Sequence, residues 1–136
     1  MASMGMKIYA GRTVCLPIPD PDCPHLFVAL TGAKIYQESK IAVVNFTSFT
    51  SRRGSDSTVF VEAGEHSFIR VRTVINYRDA FIANAGLIQQ AVVNGSVTFQ
   101  EDCSDTLLEK IQLGALRSSN TPNAVVEMVK THLGVD

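Results

Sequence analysis

SKIAVVNFTSFTSRRGSDSTVFVEAGEHSFIRVRTVINY, residues 39–77, reads as three consecutive β-strands joined by one basic polar loop and one tight turn. Residues 41–46 are rich in β-branched and aromatic types, and both pleat faces are apolar: Ile41 and Val43 on one, Ala42, Val44 and Phe46 on the other. A strand with that pattern is covered on both sides, so it belongs at the centre of a sheet. The polar run from Thr47 to Asp56 has loop composition and holds the only Arg-Arg pair of the chain, Arg52-Arg53. Apolar residues return at 58–62, and Ala63-Gly64-Glu65-His66 predicts a turn in which glycine is free to take positive φ. In the third strand the alternation sets Ile69, Val71, Ile75 and Tyr77 on a core face, with Arg70, Arg72 and Asn76 on a wet, basic one.

Working outward, residues 7–10 and 13–18 read as short strand material, the second ending at Pro17 and Pro19 because proline cannot donate to a ladder. A Pro- and Asp-rich loop follows. Residues 25–31, HLFVALT, resume as a strand, and Gly32-Ala33 marks a turn before 34–37. Short strands this close together leave little room for crossover helices and indicate an antiparallel sheet curled into a small barrel. After Tyr77 the period changes. Helical spacing of Ala80, Ala83, Leu87 and Ala91 predicts a helix over 79–93, and Asn94-Gly95 a turn. Ser104 caps a helix over 105–117, and Thr121-Pro122 opens another to His132 with Gly134 just past its end. These last two helices form a hairpin whose apolar stripes cover the barrel. The expected fold is therefore α+β: an SH3-like antiparallel barrel over 7–80 and a helical appendage over 81–136, in one domain, with residues 1–5 as a leader ahead of the natural start.

Composition narrows the function. At 136 residues the chain is long enough to bury about 70% of its unfolded surface without disulfides or metal. A formal charge of −1 and a pI of about 6.3 exclude a globally basic nucleic-acid binder, so any polyanion site must be local. Three cysteines at irregular spacing, with no CxxC, fit neither a disulfide framework nor a zinc site and read as reduced thiols of a cytoplasmic protein. No apolar run approaches the length of a membrane span. There is no phosphate-binding glycine loop, no dinucleotide fingerprint, no HExxH and no serine elbow.

Three segments, PHLFVALT (24–31), IAVVNFTS (41–48) and SDSTVFVEAGEHSFI (55–69), together resemble the PemK/MazF-like superfamily, the toxins of bacterial type II toxin–antitoxin modules. The likeness covers residues 7–80 and is closest to a branch in which a His opens strand two and a Thr-Ser ends the next long strand. It implies an SH3-like barrel, cleavage of single-stranded RNA without a metal or other cofactor, a cognate antitoxin protein and a homodimer. The family uses a Thr or Ser at the end of the long strand, which Thr47 and Ser48 match, and an Arg in the loop before strand two. That loop, Asp22-Cys-Pro-His25, holds no Arg, a departure from the family pattern.

The residues themselves point to compatible chemistry. Metal-free RNA cleavage needs a base for the 2′-hydroxyl, an acid for the leaving oxygen and a cation for the charge that develops on phosphate. His25 and His66 are candidate titrating groups. Arg52, Arg53, Arg70 and Arg72 are candidate phosphate forks, with Glu62 and Asp79 near enough to pair with Arg70 and Arg72 instead, and Thr47 and Ser48 are hydrogen-bond donors. The expected catalytic set is Thr47, Ser48, His25 and Arg52, with Arg53, His66, Arg70 and Arg72 binding RNA. Asp56 either orients a His or caps a loop, the latter being commoner. The alternative reading is a non-catalytic barrel that binds a protein or nucleic acid, which the missing Arg favours. Small barrels host many functions, so geometry decides: an enzyme needs a His within reach of Thr47 across a groove.

Overall fold

The computed structural model describes residues 7–18, 24–33, 40–49 and 56–136. Its centre is an antiparallel sheet of β1 (Thr13–Leu16), β2 (His25–Ala29), β3 (Lys40–Ser48), β4 (Phe60–Val61), β5 (Thr73–Asn84) and β6 (Phe99–Gln100), in the spatial order β4-β5-β3-β2-β1-β6. Helix α1 (Ala85–Val93) lies between β5 and β6, and α2 (Asp105–Arg117) and α3 (Asn123–Leu133) follow β6. The fold is thus mainly antiparallel β with helices toward the C-terminus, an α+β architecture whose sheet is curled.

β3 occupies the central position its two apolar faces predict. Ala42, Val44 and Phe46 join Leu26, Val28 and Leu30 of the β2 segment, and α2 and α3 close this core with Leu107, Ile111, Ala115, Val125 and Val129. Ile41 and Val43 face the other way, against Phe27, Ala29, Val14, Leu16 and Ile88 of α1. Each residue of β3 from 41 to 46 is buried, so a register slip of one residue would exchange the side chains of the two cores.

The curl has an identifiable source. Along β3 and β5, Val43 stands opposite Phe81 but Asn45 opposite Asn76, which leaves residues 77–80 of β5 facing Val44 alone. A bulge of this kind bends its strand and increases the local twist. It also inverts the pleat parity: Ile75 and Tyr77 before the bulge share one core with Ala80 and Ile82 after it, whereas Phe81 and Ala83 enter the opposite core.

The bulge accounts for one correction. Residues 79–84 are strand rather than the first turns of a helix: Phe81 to Asn84 pair with Lys40 to Val43, and Asp79 and Ala80 lie in the bulge. The helix begins only at Ala85, where Asn84 Oδ1 accepts from the Gly86 and Leu87 amides. The expected strand through Ile69 and Val71 is also absent: residues 66–72 form a turn, β5 starts at Thr73, and Val71 is exposed instead of belonging to the core. Gly64 takes the predicted positive φ of 96°. Residues 7–10 form no strand and turn back through an Arg12 amide to Tyr9 carbonyl bond.

Ser104 caps α2 as expected, its Oγ accepting from the Leu107 amide at 3.1 Å. At α3 the N-cap position falls on Pro122, not Thr121, and no side chain caps the helix; Gly134 ends it in the left-handed region at φ 72°. β5 runs past residue 80 and β6 returns to pair with β1, so the sheet spans both sides of the expected boundary between barrel and appendage. Residues 1–5 and 34–37 lie outside the described residues.

Candidate functional site

A cleft of about 500 Å³ opens where β2 begins and β3 ends. His25, Thr47, Ser48 and Arg70 line it together with Phe46, Phe68 and Val71, and among the described residues no acid is in its walls. β3 is paired with β2 through Phe27 opposite Asn45. Continued by two residues, that register sets His25 opposite Thr47. On the other side Thr47 and Ser48 pair with Val74 and Thr73 of β5. The strand register therefore brings one His and the Thr-Ser pair together, and the turn that precedes β5 adds Arg70.

Each group at the cleft has spare hydrogen-bonding capacity. His25 is half-buried, and its Nδ1 is buried without a hydrogen-bond partner among the described residues. Ser48 and Arg70 are exposed, and among the described residues no carboxylate pairs with Arg70. An exposed guanidinium and hydroxyl donors lining one cleft, with no acid among its described walls, make a local positive site on a chain of slightly negative charge.

Two expected RNA-binding residues are committed elsewhere. His66 is 2% exposed. Its Nδ1 accepts from the Phe68 amide at 3.0 Å, so Nε2 carries the proton and donates to the Glu101 carbonyl. With both nitrogens hydrogen-bonded and the ring packed near Phe46, it is engaged in holding its turn. Arg72 donates from Nε to both carboxylate oxygens of Glu62, at 3.1 and 3.0 Å, and lies 5.2 Å from the Phe60 ring centroid. Phe60 in turn meets Phe49 edge-on at 5.2 Å. This stack is a surface clasp across β4, away from the cleft lining. Arg52 and Arg53 lie outside the described residues.

Asp56 does not orient a His. It accepts from the Thr58 amide at 2.9 Å, from Ser118 Oγ at 2.7 Å and from Asn120 Nδ2 at 3.3 Å, tying the segment before β4 to the turn between α2 and α3. Burial alone would raise its carboxyl, but the bonds from Thr58, Ser118 and Asn120 outweigh it and hold the group below its ordinary value. Among the described residues no cluster of His, Cys, Asp and Glu has the makings of a metal site, and no helix is long and apolar enough to cross a membrane.

One aromatic residue of the cleft wall is not among the expected site residues. Phe68 directly precedes the strand expected from Ile69, and its sequence context assigns it no role. In the structure Ile69 is buried but Phe68 stays 46% exposed at the cleft wall. The missed signal is the turn itself, closed by an Ile69 amide to His66 carbonyl bond at 2.9 Å.

No family model matches this chain, and no curated protein or solved structure matches it.

Proposed function

We propose that this protein is an endoribonuclease toxin of the PemK/MazF-like type, an SH3-like barrel that cleaves single-stranded RNA at the His25–Thr47–Ser48–Arg70 cleft without a metal. The observation that carries this reading is convergence. Residues singled out for phosphodiester chemistry come from three separate segments, the start of β2, the end of β3 and the turn before β5, and line one cleft. In this reading His25 Nε2, the ring nitrogen not buried, accepts the proton of the RNA 2′-hydroxyl as that oxygen attacks the adjacent phosphorus. Arg70 neutralises the charge that grows on the phosphate oxygens, and Thr47 and Ser48 donate hydrogen bonds to them. The P–O5′ bond breaks, water at the open mouth protonates the leaving oxygen, and the products are a cyclic phosphate and a 5′-hydroxyl end. A toxin of this kind acts as a homodimer and is held in check by an antitoxin protein.

A second reading has one observation behind it. The segment Asp22-Cys-Pro-His25 lacks the Arg that the family uses, which favours a cleft that binds single-stranded nucleic acid without cutting it. One experiment separates the two. Purified protein is incubated with single-stranded RNA in excess chelator, beside His25→Ala and Arg70→Ala variants, and induced expression is scored for growth arrest. Cleavage by the wild type that drops about a hundredfold in either variant supports the nuclease. A folded wild type that neither cleaves nor arrests growth removes it, and retained binding then leaves the second reading.

A further inference from the structure

A large aromatic side chain held half in water beside an unpaired guanidinium is an arrangement that a free nucleobase fits. Phe68 is 46% exposed, and it lines the same cleft as Arg70, with Val71, 58% exposed, next to it. Single exposed apolar residues are ordinary on protein surfaces; Leu87 and Leu113 are comparably bare here. Phe68 differs in its company and in how firmly it is presented. Its amide donates to His66 Nδ1, the Ser67 amide donates to Glu101 Oε1 at 3.2 Å, and His66 Nε2 donates to the Glu101 carbonyl. The side chain of Ile69, 6% exposed, anchors the same turn in the core. The buried His66 thus fastens the turn that carries Phe68 at the cleft wall.

We propose that Phe68 is a stacking platform for one unpaired nucleobase of a single-stranded nucleic acid whose neighbouring phosphate pairs with Arg70. The inference rests on the reading of the cleft as a nucleic-acid site and adds the residue that restricts it to single strands. A base within a duplex has both π faces covered by its neighbours, whereas an unstacked base offers one to an aromatic ring. Because the ring is already exposed and its turn already fixed, stacking needs little reordering of the protein. Every base has a π face, so Phe68 selects for strandedness and not for base identity.

The test uses a fluorescently labelled, fully 2′-deoxy single strand, which offers bases and phosphates but no 2′-hydroxyl to attack. Its affinity is measured by anisotropy for the wild type, Phe68→Ala and Phe68→Trp, and again with single abasic sites placed along the strand. Phe68→Ala is expected to weaken binding by about tenfold to a hundredfold, with Phe68→Trp close to wild type. One abasic position should weaken the wild type by the same factor and leave Phe68→Ala unaffected. Thermal unfolding of each variant checks that the fold persists. Binding by the wild type that Phe68→Ala leaves unchanged overturns the platform while the cleft reading stands. So does a wild type that self-associates through Phe68 with no change in strand affinity. No binding by a folded wild type removes the cleft reading itself.

Discussion

The Tyr77 hydroxyl donates to the Ile111 carbonyl at 2.7 Å, joining β5 at its bulge to the middle of α2 inside the larger core. Burial raises the Tyr77 phenol far above its ordinary value, so it stays a neutral donor at any pH at which the protein folds. Gly114, one helical turn along, makes this approach feasible: a Cβ there would run into both the Tyr77 hydroxyl and Val59 Cγ2. Replacing a helical glycine with alanine ordinarily stabilises by about 1 kcal/mol. Here steric conflict wins, and Gly114→Ala is expected to destabilise by about 3 kcal/mol.

Tyr77→Phe alone should cost about 1 kcal/mol, since the Ile111 carbonyl keeps its helical bond. The double variant should cost clearly less than the two singles together, because loss of the hydroxyl clears one of the two obstacles to the new methyl group. Urea unfolding of all four proteins measures the coupling. Additive costs would show that the methyl is accommodated by a helix shift that the Tyr77 contact does not oppose.

Asp56 predicts an acid limb to stability. Its native pKa lies below the ordinary 3.8 through the bonds from Thr58, Ser118 and Asn120. A depressed carboxyl contributes stability that is fully present above the unfolded value and is lost as pH falls through the native one. The stability gap between wild type and Asp56→Asn should therefore be constant from pH 7 to about 4 and shrink below that. Chemical denaturation across this range reads it directly. A gap that stays the same to pH 2 would mean that the carboxylate's charge is irrelevant to the contact.

Much of this architecture is legible in residue order. The two apolar faces of Ile41–Phe46 announce a central strand, and Ser104, Gly64 and Gly134 mark a cap, a turn and a helix end at the positions where the structure has them. What is not legible is set by pairing. Residues 79–84 carry helical spacing, yet the bulge opposite Val44 recruits them as strand and inverts their parity. His66 has the chemistry of an RNA ligand, but Glu101, distant in sequence, occupies it, whereas the Glu62 partner of Arg72 is legible as a nearby acid on a neighbouring strand. Thr47 and His25 come together through strand register, which a sequence states only once its sheet order is known.

Cys103 should behave as an inert thiol. It is 7% exposed, and burial, with the Asp102 and Glu101 charges adding to it, pushes its pKa up to about 12. The thiolate is the reactive form, so alkylation at pH 7–8 should proceed only as fast as the protein opens. Mass spectrometry of peptides after timed labelling, with and without urea, gives the rate for Cys103 separately from Cys15, whose half-buried thiol is also raised. Labelling of Cys103 in the native protein as fast as in urea would contradict the packing between β6 and α2.

Arg70 and Arg72 stand two residues apart on the same turn, yet they should answer differently to mutation. Arg72 spends its guanidinium on Glu62 and the Phe60 ring, in a pair whose side chains remain about half exposed. Exposed pairs contribute about 0.2–1 kcal/mol, so Arg72→Ala should lower stability slightly and change RNA cleavage or binding by less than about twofold. Arg70 pairs with no described carboxylate and lines the cleft, so Arg70→Ala should leave stability unchanged and reduce cleavage by about a hundredfold. Glu62→Ala supplies a third arm: it releases Arg72, and any gain in strand affinity should vanish in the Glu62→Ala, Arg72→Ala double variant. Equal losses from Arg70→Ala and Arg72→Ala would show that the turn presents both guanidinium groups to the strand, with the Glu62 clasp opening when RNA arrives.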